Sequence, residues 1–453
     1  MQLLSEFALT SGQTASPLGI AHHAADRLIT LLITTGDGQL LLCAPNGAAH
    51  PKERIEGTRV TDVFASVLAD TEGDGRKDYF ISWREGRDLS IGCFNGQLME
   101  KKPLRAKATG TLYLENGIER VESWFTARDF RPATKDSPPQ LLTALVTGFP
   151  KWPREFRCYN ATNMNLLWSL PFAAPPSQLP MLHDPGLGGG IVWLIGCYAC
   201  SNTAMLPDGE SDRESCLRAL DGDGRQLWRL PTGGEFSDCR PCVVPLREGD
   251  ALYYQVRRDM EVVWQIDNRL PPLGRVFRAS AEGKTLASYD LGTDLSSLEA
   301  CDLDADGMPE LLATDATGLL HVLDSDLRHL RAVRVAPAPP TTNHFVKLAL
   351  SRPADLDGDG QVDIAVLSCL VEFVSGRDYR HVEGQNHRRY HDTTLTVYDT
   401  RFRRKAAYLV DKENNSGNYT LVTTAPDREA ARQLVVLGPK VQFFQYGARK
   451  MWE

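Results

Sequence analysis

The apolar and polar residues of this chain follow a repeated unit, in which a tight polar turn joins a short apolar strand to a second strand. Eight copies of this hairpin pattern recur: LLLCAPNGAAH, SIGCFNGQLME, FRCYNATNMNLLWSL, LRALDGDGRQLWRL, FRASAEGKTLASYDL, HVLDSDLRHLRAV, TVYDTRFRRKAAYL and QFFQYGARKMW. Their turns align with a mean spacing of about 57 residues at Pro45, Asn95, Asn160, Asp221, Ala281, Asp324, Asp399 and Tyr446. Self-similarity at such a period indicates a repeat architecture.

Another pair of strands precedes most copies of the hairpin, so one repeat contains four strands. Helical periodicity is nearly absent. Four-stranded antiparallel units in series are the blades of a β-propeller, and closing the ring removes exposed sheet edges. The pattern therefore predicts an all-β propeller of eight blades, with seven as the alternative, in a single domain over residues 1–453. Gln2–Leu9 is predicted to pair with the last blade.

A second pattern is an acidic loop directly before an apolar strand. Its most complete copy is ADLDGDGQVDIAVLS, which has acidic residues at positions 1, 3, 5 and 9 counted from Asp355, and a glycine at the bend. Calcium takes roughly six to eight oxygen ligands, and alternate residues of a tight loop direct several carboxylates to one centre. The alternative is a solvated turn without metal. The predicted calcium residues of the three loops are Asp355, Asp357, Asp359, Gln361 and Asp363; Asp302, Asp304, Asp306, Met308 and Glu310; and Asp70, Glu72, Asp74, Arg76 and Asp78.

Composition is that of an ordinary globular protein and argues against some functional classes. Apolar residues make up 42% and charged residues 24% of the 453 residues, and the net charge is −8. An acidic chain is poorly suited to nucleic acid, which binds proteins that neutralise phosphates with Lys and Arg. No apolar run has the length of a membrane span, and Met1–Thr10 lacks a signal-peptide pattern. The sequence thus predicts no nucleic-acid partner and no membrane span, and it leaves the compartment open.

Two groups of motifs resemble known propeller families. The acidic loops in ADLDGDGQVDIAVLS and ACDLDADGMPELLAT resemble FG-GAP, or VCBS, repeats of the integrin α type. The hairpins LRALDGDGRQLWRLPTG and FRCYNATNMNLLWSLPF resemble quinoprotein-type repeats, whose Leu-Trp closes the outer strand. The resemblance implies a β-propeller, structural calcium in the acidic loops, and an extracellular or periplasmic location. Asp221–Gly224 shares the letters DGDG, but Ala219 and Leu227 replace the outer ligands, so we interpret it as a plain turn.

The strand order within a blade predicts two different faces. The acidic loops join the first and second strands, whereas the loops on the opposite face carry the long insertions, chiefly near residues 201–215 and 372–393. Long loops without secondary structure are commonly functional, and exposed aromatic side chains beside arginine suit a protein or glycan partner. Burial of the tryptophans as loop anchors is the alternative. The predicted partner-binding residues are Trp83, Trp152, Tyr379 and His381.

Four cysteines form two CxxC pairs on neighbouring blades. Cys197 and Cys200 end one strand, and Cys239 and Cys242 begin another on the same predicted face. Two such pairs brought together make a tetrahedral four-thiolate zinc site. Disulfides, in which Cys216 also takes part, and free buried thiols are the alternatives.

The sequence favours a binding module over an enzyme without deciding between them. It contains no serine-hydrolase elbow, phosphate-binding loop or dinucleotide fingerprint. It also lacks the adjacent cysteine pair that the resemblance to quinoprotein dehydrogenases would imply at the cofactor. We therefore expect a non-enzymatic, calcium-stabilised propeller that acts as a protein-binding or glycan-binding scaffold. The alternative is a carbohydrate-active enzyme of the polysaccharide lyase type on the same fold.

Overall fold

The structure is a computed structural model. It describes the chain except for residues 9–15, 24–27, 35–38, 44–48, 55–59, 74–77, 95–102, 110–112, 116–117, 121–122, 149–150, 184–185, 245–249, 259–270, 342–343, 374–387, 415–418, 425–432, 438–439 and 446–453. In the strands between residues 2 and 66 it describes the backbone alone. The regular secondary structure of the described residues is entirely β, as the near absence of helical periodicity predicted.

The described strands form eight four-stranded antiparallel sheets and one two-stranded hairpin. Within sheets 1 to 7 the four strands follow one another in chain order. Sheet 1 contains β2 (Ser16–His23), β3 (Leu28–Thr34), β4 (Gln39–Cys43) and β5 (Ala49–Arg54). Sheet 2 contains β6 (Val60–Ala69), β7 (Asp78–Glu85), β8 (Asp88–Phe94) and β9 (Leu104–Lys107). The separate hairpin contains β10 (Tyr113–Glu115) and β11 (Ile118–Arg120).

The central sheets repeat the same order. Sheet 3 contains β12 (Trp124–Arg131), β13 (Gln140–Val146), β14 (Arg154–Asn160) and β15 (Leu166–Pro171). Sheet 4 contains β16 (Pro176–His183), β17 (Trp193–Cys197), β18 (Ser215–Leu220) and β19 (Gln226–Gly233). Sheet 5 contains β20 (Ser237–Val244), β21 (Ala251–Arg258), β22 (Gly274–Ala279) and β23 (Thr285–Asp290).

The last three sheets complete the set. Sheet 6 contains β24 (Leu295–Cys301), β25 (Glu310–Asp315), β26 (Leu319–Leu323) and β27 (His329–Arg334). Sheet 7 contains β28 (His344–Leu350), β29 (Ile364–Phe373), β30 (Arg388–Tyr398) and β31 (Arg404–Asn414). Sheet 8 contains β32 (Thr420–Thr424), β33 (Gln433–Leu437), β34 (Lys440–Gln445) and β1 (Gln2–Ala8).

The first strand of the chain completes the last sheet. β1 pairs antiparallel with β34, with Gln2 opposite Gln445 and Ala8 opposite Lys440. The predicted pairing of the amino-terminal segment with the last blade is therefore confirmed. Because residues around the first and last sheets fall outside the described ranges, the number of blades in the ring stays a prediction of eight, with seven as the alternative.

The hydrophobic core lies between successive sheets. In β13 every residue is buried, and alternate side chains serve two different clusters. Leu141 and Leu145 pack towards sheet 2, whereas Leu142 and Ala144 pack towards sheet 4. A strand that is covered on both faces needs apolar residues at every position, so it reads as a continuous apolar run. The fourth strands, such as β15, are largely exposed.

Tryptophans of two outer strands join sheet 3 to sheet 4 and sheet 4 to sheet 5. Trp168 of β15 donates its indole N–H to the carbonyl of Gly222 at 3.0 Å, and Trp228 of β19 donates to the carbonyl of Ala281 at 2.7 Å. Both acceptors lie in the hairpin turn of the following sheet. A Cβ on Gly224 would meet the Trp168 ring at 2.4 Å, and Gly224 also has a φ of 80°. The Leu-Trp motif thus closes the gap between neighbouring sheets.

Candidate metal centres and partner-binding surface

The sheet 6 loop, residues 302–310, connects β24 to β25. Its backbone turns at Gly307, whose φ of 84° is accessible to glycine without strain. The amide of Gly307 donates to Asp302 Oδ2 at 2.9 Å, and the amide of Leu303 donates to Glu310 Oε2 at 2.8 Å. These bonds help to hold Asp302, Asp304 and Glu310 together, with one oxygen of each within 4.8 Å of the others.

The sheet 7 loop, residues 355–363, lies at the equivalent place between β28 and β29. Gly360 donates to Asp355 Oδ2 at 3.0 Å, and Leu356 donates to Asp363 Oδ2 at 3.0 Å. One oxygen from each of Asp355, Asp357 and Asp363 again lies within 4.8 Å of the others. The two loops therefore share one hydrogen-bond scheme and one triad of converging carboxylates, the donor set that Ca²⁺ prefers.

The fifth-position carboxylates of the two loops are used differently from the triads. Asp306 Oδ1 accepts a hydrogen bond from the amide of Met308 at 2.6 Å. Asp359 Oδ1 accepts one from the amide of Gln361 at 2.8 Å. These bonds shape the loops, and neither carboxylate belongs to the converging triad of its loop.

A lysine distinguishes the sheet 7 loop. Lys405, the second residue of β31, places Nζ 2.7 Å from Asp357 Oδ2, 2.8 Å from Asp363 Oδ1 and 3.4 Å from Asp359 Oδ2. The two shorter distances are typical of charge-assisted hydrogen bonds. Sequence reasoning missed this residue because it lies 42 positions beyond Asp363. Its place directly after the turn of the seventh hairpin copy was the available signal.

The sheet 6 loop keeps its negative charge unbalanced. One carboxylate oxygen of Asp302 is buried and has no hydrogen-bond partner. Among the described residues, no Lys or Arg pairs with Asp302, Asp304 or Glu310. Burial and the neighbouring carboxylate of Asp304 raise the pKa of Glu310 above its ordinary value. A divalent cation bound by the triad would relieve this repulsion.

The sheet 2 loop lies partly outside the described residues, which exclude Asp74 and Arg76. Asp70 Oδ1 accepts a hydrogen bond from the amide of Gly73 at 2.7 Å, and the buried carboxylate of Asp78 accepts one from the Thr71 hydroxyl. Asp70, Glu72 and Asp78 are not among the described carboxylates that converge in threes. Calcium binding at this loop stays a prediction.

The four cysteines of the CxxC pairs are not one converging ligand set in the described residues. The buried thiol of Cys197 instead forms a hydrogen bond with Cys216, and this hydrogen bond lowers the pKa of Cys216 to about 6. Cys200 contacts Arg154 and Asp212. Burial raises the pKa of Cys239 well above its usual value and that of Cys242 to about 12. The predicted zinc centre therefore gains no geometric support, and zinc binding stays a prediction.

Trp83 was predicted to bind a partner, but the structure buries it. Its side chain is 2% exposed and packs within β7, with its ring centroid 6.2 Å from that of Phe94. The guanidinium of Arg105 covers its ring at 5.6 Å. The segment 83–88 is a tight hairpin, because β7 ends at Glu85 and β8 begins at Asp88. Trp83 is thus a core residue, as the alternative of buried tryptophans stated.

Trp152 is exposed, as predicted, with 41% of its side chain accessible. Its loop is tied to the insertion 201–215, because Arg154 Nη1 lies 3.5 Å from Asp212 Oδ2 and both side chains are buried. Met205, on that insertion, is 63% exposed. We call the exposed side chains of Trp152 and Met205 the Trp152–Met205 surface.

The insertion 201–215 is anchored rather than structureless. Glu210 Oε1 lies 2.8 Å from Arg218 Nη2, and both side chains are buried. Glu210 also accepts a hydrogen bond from the amide of Ala173 at 2.8 Å. Together with the Asp212–Arg154 pair, these contacts form the insertion anchor. They hold the segment against sheets 3 and 4.

The second predicted insertion, 372–393, is shorter than the sequence indicated. β29 extends to Phe373 and β30 begins at Arg388. At its base, His391 Nε2 lies 3.0 Å from Glu372 Oε2. Tyr379 and His381 lie outside the described residues, so their role in partner binding stays a prediction.

Comparison with known proteins identifies the fold. No protein-family model matches the chain, and no curated protein matches it. Among solved structures, BamB from Moraxella catarrhalis is 12% identical with a TM-score of 0.50, covering 100% of this chain and 99% of that chain. The Dos1 propeller is 11% identical with a TM-score of 0.53, covering 99% of this chain and 95% of that chain. These similarities show a β-propeller and leave function open. In the described part of the chain, no helix has the length and apolarity of a membrane span.

Proposed function

We propose that this protein is a scaffold propeller that binds a protein partner through the Trp152–Met205 surface. The observation that carries the proposal is the exposure of a large aromatic and a methionine on two loops that a buried ion pair joins. Tryptophan and methionine are enriched in the cores of protein interfaces.

The insertion anchor supports this proposal energetically. Ordering a free loop on binding costs conformational entropy, which reduces affinity. Here Asp212 and Glu210 already fix the loop against buried arginines, at 3.5 Å and 2.8 Å. A charged rim with Arg213 and Glu235, whose side chains lie 3.8 Å apart, would provide polar contacts at the edge.

Calcium is the second part of the proposed function, in a structural role. The supporting observation is the converging carboxylate triad of the sheet 6 loop, which lacks a described counter-charge. Because this loop connects β24 to β25, a bound ion would brace the inner strands of sheet 6. An ion that binds only the folded state raises stability by mass action.

The experiment that tests partner binding compares a double substitution in the Trp152–Met205 surface with a control substitution at another exposed apolar residue. A partner is first cross-linked to the full chain and identified. The purified partner is then titrated against the parent chain and its variants, and the dissociation constants are compared. The double variant Trp152→Ala with Met205→Ala is expected to weaken binding at least about tenfold, since interface anchors of this type carry about 2 kcal/mol or more each. Leu286→Ala is the matched control, because Leu286 is 59% exposed on the outer strand β23. Unchanged affinity of the double variant, with unchanged melting, would reject this surface.

The enzyme alternative gains nothing from the two structural relatives, whose similarity concerns the fold alone. A glycan in place of a protein partner is an outcome of the same titration. The compartment stays a prediction.

A further inference from the structure

We infer that the ammonium group of Lys405 is a built-in counter-ion that neutralises the sheet 7 loop, including two carboxylates of its triad, in place of a divalent cation. Lys405 contacts Asp357 and Asp363 within 2.8 Å and Asp359 at 3.4 Å. An ammonium group carries three N–H donors, which matches these three acceptors. Asp363 is fully buried, and its charge needs a partner to remain in the folded protein.

The sheet 6 loop shows what the same site looks like without the lysine. The hairpin turns beside the two loops align residue by residue, because Asp324 and Asp399 each accept the amides two and four residues ahead. The fourth residue of each turn has a positive φ, 65° at Leu327 and 60° at Phe402. In this alignment Lys405 corresponds to Leu330, which is 54% exposed.

The surroundings of Lys405 strengthen the difference between the two loops. Arg401 and Arg404 line the same recess as Asp359 and Lys405. In the turn beside the sheet 6 loop, the corresponding residues are Asp326 and His329. Additional positive charge disfavours a divalent cation at the sheet 7 loop. The two loops therefore have the same acidic residues at positions 1, 3 and 5 and opposite requirements for an external ion.

This inference deepens the calcium part of the proposed function, and its test separates the two. The chain is compared with Lys405→Met and with the conservative variant Lys405→Arg, in calcium and in chelator. We expect Lys405→Met to melt at a lower temperature in chelator, to recover in calcium, and to bind one more calcium ion per chain than the parent. Lys405→Arg should keep the parent's calcium stoichiometry.

Two further variants keep the test decisive. If Lys405→Met does not fold without calcium, adding Asp357→Asn should restore folding in chelator, because it removes part of the unpaired charge. Leu330→Lys should lower the calcium stoichiometry by one, by supplying the missing counter-ion to the sheet 6 loop. A parent chain that binds no calcium would refute the calcium proposal alone. An unchanged melting temperature in chelator, or no additional calcium in Lys405→Met, would overturn the role of Lys405.

Discussion

The insertion anchor and the sheet 6 loop both gather carboxylates, but they differ in what neutralises them. In the anchor, Glu210 and Asp212 each face a buried arginine within 3.5 Å. In the sheet 6 loop, three carboxylates converge with no lysine or arginine partner in the described part of the chain. Carboxylates that are paired with arginines of the same chain stabilise the folded structure. Converging carboxylates without such a partner are suited to bind a cation. The sheet 7 loop has the converging carboxylates of the sheet 6 loop, but a cationic side chain of the same chain pairs with them, as in the insertion anchor.

The largest expected effect is in the anchor. Glu210→Ala should lower the free energy of unfolding by about 3–5 kcal/mol, because it leaves Arg218 buried without its partner. Urea denaturation measures this loss. The matched control is Glu214→Ala, whose half-exposed carboxylate pairs with Arg229 at 3.3 Å and should cost less than about 1 kcal/mol. Equal losses in the two variants would show that burial does not distinguish these pairs.

Calcium removal should have the next largest effect; of the two loops with a converging triad, only the sheet 6 loop should contribute to it. At free calcium of about 100 times its Kd, bound calcium contributes about 2.7 kcal/mol, which chelator removes. Asp304→Asn should abolish the difference between melting curves in calcium and in chelator. Asp223→Asn is the control, since Asp223 lies exposed in the DGDG turn of sheet 4. A calcium response that survives Asp304→Asn would place the ion elsewhere.

A smaller, pH-dependent effect is expected at Glu299. Burial raises the pKa of Glu299 from 4.5 to about 7, although Arg352 opposes the shift. The folded state therefore holds a proton that the unfolded state releases, so this residue makes stability fall as the pH rises from about 4.5 to 7.

Glu299→Gln tests this pH dependence. It should raise stability at pH 8 by about 1–2 kcal/mol and flatten the pH profile across that window. Urea denaturation at several pH values measures it. A profile of Glu299→Gln that matches the parent would contradict the shifted pKa.

Much of the fold followed from local pattern. Seven of the eight hairpin copies lie at the junction of the third and fourth strands of sheets 1 to 7. Turns such as those at Asp221 and Asp399 are local, because hydrogen bonds over two to four residues close them. In the eighth copy β34 pairs with β1 instead, and the turn at Tyr446 lies outside the described residues. The DGDG letters at Asp221 were interpreted as a plain turn, and the structure confirms this hairpin turn between β18 and β19. The pairing of β1 with β34 was predictable from the need to cover an edge.

The candidate sites were predicted less completely. Three of the four predicted acidic residues in each of the sheet 6 and sheet 7 loops do converge, since their spacing and their backbone hydrogen bonds are local. Trp83 was misplaced because its exposure depends on Phe94 and Arg105, which lie on other strands. Met205 escaped notice because a single methionine in a polar insertion gives no periodic signal.

Sequence alone determined the repeat, the turns and the acidic spacing, because each depends on residues a few positions apart. Only the tertiary structure decided which charges are paired. Lys405 pairs with Asp363, which lies 42 residues away in sequence, and Arg154 of sheet 3 pairs with Asp212 in the insertion of sheet 4. Side chains that are distant in sequence therefore decide whether a carboxylate is already neutralised or is available to bind an ion. The reason is that Coulomb energy depends on distance in space and not on position in the chain.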